Sequence, residues 1–186
     1  RQGQRVLLVD DGSRLGGSLL HDRVTIDHVA GTDWARQRAA DLAAMPEVTV
    51  LTRATAFGYY DHNQLGVVER VADHRPARPG EPRQRLWHVH AGRVILATGA
   101  HERPLLFANN DLPGIMLAGA VRGYVNRYAV LPGTAAVVVT NNDSAYATVT
   151  DLLDRGAAVA AVVDLRPTVD SAITAPLRDR GIALHP

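Results

Sequence analysis

The chain of 186 residues contains no cysteine. That excludes a disulfide, an iron–sulfur cluster and the dithiol chemistry of many flavin disulfide reductases. Charge of one sign is also missing: 20 basic residues face 19 acidic ones, a net of +1. A nucleic-acid partner or an anionic membrane surface is therefore not expected. No apolar run approaches the length needed to span a bilayer, and no signal peptide is visible, so a cytoplasmic location is the default expectation. Aromatic residues are few, at 5%. The opening Arg1-Gln2-Gly3-Gln4-Arg5 has no initiator Met and enters a strand almost at once, as expected of a piece cut from a longer protein. What remains is 46% hydrophobic and 21% charged, the profile of a globular protein with room for one large domain or two small lobes.

The hydrophobic pattern reads as α/β. Arg5 to Asp10 is four apolar residues closed by an acid, a buried parallel strand. Asp11 to Ser18 is a glycine-rich loop. Thr32 is placed to cap a helix reaching about Met45, with Trp34, Arg38, Leu42 and Met45 on one stripe. Glu47 to Thr52 is a second parallel-type strand. Phe57 to Tyr60, Leu65 to Val71 and Leu86 to His90 read as short antiparallel strands. Between the last two, Asp73 to Arg85 carries three prolines, a glycine and four arginines, an exposed hairpin loop. Val94 to Ala97 reads as a buried strand again.

Beyond an irregular stretch from Leu105 to Pro113, a helix is expected from about Ile115 to Val130. Its face would be Leu117, Val121, Tyr124, Val125 and Tyr128. Then come a strand over Thr134–Thr140, a helix over Ser144–Arg155 capped by Gly156, and a strand over Val159–Leu165. A helix over Ser171–Arg180, ended by Gly181, leads to a strand beginning at Ile182. The order implies βαβ units on parallel sheets with a small antiparallel insert, truncated at both ends. The expected division is residues 1–108, a partial dinucleotide-binding domain lacking its first βα unit, with the insert at about 55–91. Residues 109–186 would form a second, degenerate Rossmann-like lobe.

Several groups carry possible chemistry. Asp10 closes a strand where, in a dinucleotide fold, an acid accepts hydrogen bonds from the adenosine ribose; a plain turn residue before Gly12 is the other reading. Gly16 and Gly17 permit close backbone approach, and Ser18 offers a hydroxyl. Thr55-Ala56 lies where such folds bring backbone to an adenine. The small-residue turn Ala97-Thr98-Gly99-Ala100 lets a ligand lie against backbone. It resembles the late strand of two-dinucleotide flavoprotein domains, where Thr98 and Gly99 would stand near the cofactor.

The second lobe reads differently. Its turn, Thr140 to Tyr146, has no glycine, and Asp143 would repel a phosphate, so Asp143 or Ser144 reads as a helix cap and Asp164 as structural. His88 and His90 share a strand face, but no further ligands stand at convincing spacing, so no metal is expected. His101-Glu102-Arg103 could serve acid–base chemistry or position a loop. No G-x-S-x-G elbow is present. No catalytic residue is assigned.

The strings Val6 to Asp11, Leu15 to Leu20, Tyr60 to Asn63, Arg83 to Trp87, Ile95 to Pro104, Asn109 to Gly114, Tyr124 to Tyr128 and Thr140 to Tyr146 together resemble the alpha subunit of heterotetrameric sarcosine oxidase. Opine oxidase and hydrogen cyanide synthase subunits are similar more loosely. The resemblance implies a flavin oxidoreductase that demethylates sarcosine to glycine, with hydrogen peroxide and a one-carbon unit as products. It implies partner subunits and an NAD-binding alpha subunit, with FAD the alternative in the same pocket. FMN and tetrahydrofolate would bind elsewhere in the complex. Carried over, the cofactor contacts are Asp10, Asp11, Gly16, Gly17, Ser18, Ala56, Thr98 and Gly99. With the pyrophosphate glycines expected before Arg1, the segment alone is expected to be inactive and to bind dinucleotide weakly at best. A noncatalytic interaction scaffold is the contrasting expectation.

Overall fold

The computed structural model describes residues 3–185; Arg1, Gln2 and Pro186, which the expected domain limits include, lie outside the described residues. The chain forms two compact units. One runs to Leu19 and resumes over Val24–Gly99; the other takes Leu20–Arg23 and the chain from Ala100 onward.

In the first unit, β1 (Val6–Val9) pairs in parallel with β4 (Val48–Leu51). A small hairpin of β2 (Thr25–Ile26) and β3 (Val29–Ala30) leads into α1 (Gly31–Ala43). The helix starts before Thr32, at an Ala30 N-cap without a side-chain bond, so Thr32 is not the cap. Its buried positions are Gly31 and Ala35, while Arg38 is exposed with its guanidinium 5.9 Å above the Trp34 ring. Small residues let the helix approach its neighbours, and the expected Trp34–Arg38 stripe instead shields its flank.

The antiparallel insert forms as read, with β5 (Ala54–Tyr60), β6 (Gln64–Arg70) and β7 (Gln84–His90) in order 5-6-7. Alternation puts Val67 in a small core with Leu51 and Ala54, against which Leu7, Val9, Leu65, Trp87 and Val89 pack. The arginine-rich hairpin loop is tied internally, Arg83 to Asp73 at 3.0 Å and Arg75 to Glu81.

The segment Val94–Ala97 is not a strand. Ile95 is 91% exposed and Leu96 69%. A strand that is apolar on both faces needs hydrogen-bonding neighbours and two covering layers. The parallel sheet of this unit has two described strands, β1 and β4, and neither pairs with it.

The second unit is a three-stranded parallel sheet, β8 (Ala135–Thr140), β9 (Ala158–Asp164) and β10 (Ala183–His185), in order 10-9-8. Crossover helices α3 (Tyr146–Asp154) and α4 (Ser171–Arg178) join the strands. Its core, built on Val125, Tyr146, Val149, Leu152, Ala157, Val159, Val162 and Leu177, is larger than that of the first unit. Gly156, at φ +83°, ends α3 in a left-handed turn, with Ala157 N–H bonded to the Leu152 carbonyl and Gly156 N–H to that of Leu153.

The helix expected from Ile115 to Val130 is shorter and changes pitch. Regular turns, α2, cover Ala118–Arg122, and a π-helical turn continues over Gly123–Arg127. Tyr128 N–H reaches the Gly123 carbonyl, five residues back, at 3.3 Å. The added residue per turn breaks the expected face. Val121 and Val125 meet the core, whereas Tyr124 and Tyr128 are exposed, their rings 6.4 Å apart.

Candidate functional site

Asp10 leaves β1 in a tight turn. One carboxylate oxygen, Oδ1, accepts the Gly12 N–H at 2.8 Å, so the turn reading is realised. Among the described residues, no donor reaches the other oxygen. A Cβ on Gly12 would lie 2.9 Å from Oδ1, so a side chain there would displace the carboxylate. The turn is stitched to β4 and β5 by backbone. Asp10 N–H donates to Leu51 O at 2.9 Å, Ala54 N–H to Asp10 O at 2.9 Å and Arg53 N–H to Gly12 O at 2.7 Å.

Sequence reasoning missed the residue that locks this arrangement. Arg70, at the end of β6, donates through Nη2 to the Asp11 carbonyl at 2.6 Å and through Nε to the Arg53 carbonyl at 3.2 Å. Only the β5–β6 register, which sets Ala54 opposite Glu69, brings Arg70 there, and no local pattern marks it.

Asp10 and Asp11 thus share one turn, and Ala56 stands exposed two residues past Ala54 on β5. Gly16 and Gly17 both have positive φ, +135° and +52°, and Ser18 is exposed in the 3₁₀ turn Gly17–Leu20 that follows. Thr98 and Gly99 are exposed in an irregular segment, and among the described residues no hydrogen bond joins them to the Asp10 turn.

The corresponding strand end of the second unit is filled by its own side chains. Asp164 closes β9 and is buried. Its Oδ1 accepts from Arg166 N–H at 3.1 Å and Nε at 3.0 Å, and its Oδ2 from Arg166 Nη2 and the Tyr146 hydroxyl, both at 2.8 Å. The Arg166 bonds hold the Asp164 carboxyl down to about 2, and burial, then the bond to Asp164, pushes the Tyr146 hydroxyl up to about 12. Arg166 also pairs with Asp143 at 2.7 Å. A cleft of about 150 Å³ lies beside these groups, bounded further by Thr174, Arg178 and His185. The cap of the turn ahead of α3 is Asn142, not Asp143 or Ser144: its side chain accepts the Ser144 N–H at 3.0 Å.

Glu102 is engaged structurally. It accepts the Gly119 N–H at 2.8 Å and so caps α2, whose own N-cap Leu117 has no side-chain acceptor. His88 and His90 are exposed on one face of β7, and among the described residues no group of three or more His, Asp or Glu could hold a metal ion.

No protein-family model matches the chain. It is 52% identical over 168 residues to the alpha subunit of sarcosine oxidase from Rhizobium meliloti (strain 1021), covering 90% of this chain and 17% of that protein. With the sarcosine oxidase alpha chain of Corynebacterium sp. (strain P-1) identity is 49% over 176 residues, covering 92% and 18%. The chain is homologous to sarcosine oxidase alpha subunits. It spans 17 to 19% of the length of the three such subunits it matches, at 42 to 52% identity. An opine oxidase subunit of Agrobacterium tumefaciens (strain Ach5) is 29% identical over 168 residues, 87% of this chain and 32% of that protein. Among solved structures, L-proline dehydrogenase from P. horikoshii superposes with a TM-score of 0.67 at 22% identity, over 89% of this chain and 32% of that one. That likeness is one of fold. The mixed α/β architecture, with parallel sheets and a small antiparallel sheet, agrees with the sequence reading, as does homology to sarcosine oxidase alpha subunits.

Proposed function

We propose that this chain is a segment of a sarcosine oxidase-type alpha subunit, where it supplies part of an NAD-binding fold. The division at about residue 108, with a degenerate second lobe, belongs to the same reading. The observation that carries the site is the Asp10 carboxylate. One oxygen is spent on the turn, and the other stands at the carboxyl end of a parallel strand without a donor among the described residues. An adenosine ribose would present two hydroxyl donors to such an acceptor. Asp11, the Gly16-Gly17-Ser18 loop, Ala56, Thr98 and Gly99 complete the proposed contacts. FAD, which shares the adenosine, is the competing occupant.

In the whole protein the proposed reaction is the oxidative demethylation of sarcosine to glycine with release of hydrogen peroxide. It would take place in a hetero-oligomer whose FMN and tetrahydrofolate sites lie elsewhere. The identity to sarcosine oxidase alpha subunits supports this reading. Within this segment the residues bind and orient; none is assigned a bond-breaking role. The segment alone is proposed to be inactive. Among the described residues no helix is long and apolar enough to cross a membrane, which is compatible with the proposed cytoplasmic setting. Calorimetric titration of the complete polypeptide with NAD and with FAD tests the assignment. Saturable heat with NAD is expected, and the absence of heat with both dinucleotides would contradict it.

A further inference from the structure

The cleft of about 150 Å³ beside Asp164 lies wholly within the second unit, at the carboxyl ends of β9 and β10 and against α4. Open α/β sheets take their ligands at that end of the strands. Part of the lining is aliphatic. Val162 is 1% exposed, and Val169 and Leu184 pack, partly buried, against the same core.

Two arginines and one aspartate supply the charge of the lining. Asp164 has both oxygens filled, by Arg166 and the Tyr146 hydroxyl, so its charge is already met. Arg166 in turn is spent on Asp164 and Asp143. Arg178, in the last turn of α4, and His185, at the end of β10, stand apart from this network. Both are exposed, and neither side chain has a hydrogen-bond or ion-pair partner among the described residues. The cleft therefore presents a permanent cation and an imidazole N–H that are unspent, and no unspent carboxylate.

Size and polarity narrow the ligand. An apolar cavity of about 150 Å³ holds a benzene-sized group, whereas pockets for larger ligands begin at about 300 Å³, so a nucleotide is too large. An inorganic anion would lose water against the aliphatic wall without compensation. A small organic acid meets both surfaces, with its hydrocarbon on the wall and its charge at the cations.

We infer that the cleft bounded by β9, β10 and α4 binds a small apolar monocarboxylate, its hydrocarbon group against Val162, Val169 and Leu184 and its carboxylate on Arg178 and His185. The site does not depend on the dinucleotide reading, and it binds its ligand without reacting with it.

Hydrogen–deuterium exchange of the complete polypeptide, with benzoate as the probe, tests binding and its place together. Benzoate is expected to slow exchange in peptides over Val162–Val169 and Thr174–Arg178. The effect should saturate with a dissociation constant of about a millimolar, because the cations are exposed to solvent. Arg178→Gln is expected to fold, since the residue is exposed at a helix end, and should weaken binding about three- to fivefold. Arg178→Lys should restore most of the affinity. Arg180→Gln, outside the cleft, should leave it unchanged. No slowing in these two peptides overturns the site, even where benzoate slows exchange elsewhere. Equal slowing by benzyl alcohol overturns the carboxylate, and equal slowing by inorganic phosphate overturns the apolar group. Unaltered benzoate affinity in Arg178→Gln also overturns the proposal, and leaves Arg178 as a partner of the α4 dipole alone.

Discussion

Two parallel strands end on an aspartate, one in each unit, and the two carboxylates keep different company. Asp10 spends one oxygen on the Gly12 N–H. Asp164 has both oxygens filled, by two nitrogens of Arg166 and its backbone N–H together with the Tyr146 hydroxyl. The position in the fold is similar, and the capacity to bind is not. An acceptor can serve a ligand only where the chain has left it unsatisfied or able to exchange partners. A saturated buried carboxylate contributes to stability instead. The comparison separates by chemistry two aspartates that both stand at the carboxyl end of a parallel strand.

The largest expected effect lies at Asp164. Asp164→Ala leaves Arg166 without its bidentate partner and the buried Tyr146 hydroxyl without an acceptor. It should cost about 3 kcal/mol, the low end for breaking a buried pair because Arg166 is partly exposed. Urea unfolding followed by a probe in the second unit measures it. Asp10→Ala should cost less than about 1 kcal/mol in the same assay, since only the turn bond is lost. Equal losses at the two positions would erase the distinction.

The pH dependence should fall on the second unit too. The Asp164 carboxyl is held near 2 in the folded chain against an ordinary value of 3.8. Its contribution is therefore complete above pH about 4 and disappears as the pH falls towards about 2. Tyr146 is raised from 10.0 to about 12, so its contribution is complete below pH about 10 and is lost as the pH rises towards about 12. Melting temperature against pH should show both limbs, and Tyr146→Phe should abolish the alkaline one. The same variant should cost about 1 kcal/mol, because Arg166 still satisfies Asp164. Smaller again is Gly12→Ala, which crowds the Asp10 carboxylate. A few-fold loss of NAD affinity with a nearly unchanged melting temperature is expected, read by calorimetry.

Much of the fold was legible because the pattern and the environment agree. In β8 and β9, Ala136, Val138, Val159 and Val162 pack into the core, while Val137 and Val139 stay exposed on the other face, and Gly156 does end α3 in a left-handed turn. The run Val94–Ala97 is similarly apolar without such a core, and forms no strand, with Ile95 and Leu96 exposed. Sequence period alone does not reveal which covering layers are present. The π turn at Gly123–Arg127 defeats period for another reason: one added residue rotates Tyr124 and Tyr128 off the core. At the site, Asp10 and Gly12 are three residues long as a motif and could be read. Arg70, which clamps the Asp11 and Arg53 carbonyls, reaches Asp11 from 59 residues away in sequence through the β5–β6 register and could not. The same is true of Glu102 capping α2 and of Asn126 holding the His21 carbonyl.

The central claim is that the open carboxylate of Asp10 receives the dinucleotide. Calorimetric titration of the complete polypeptide with NAD, unaltered and as Asp10→Ala, tests it most directly. Loss of one charge-assisted bond pair predicts an affinity lower by about ten- to a hundredfold, with the melting temperature nearly preserved. NAD binding by the Asp10→Ala protein as tight as by the unaltered one would contradict the claim.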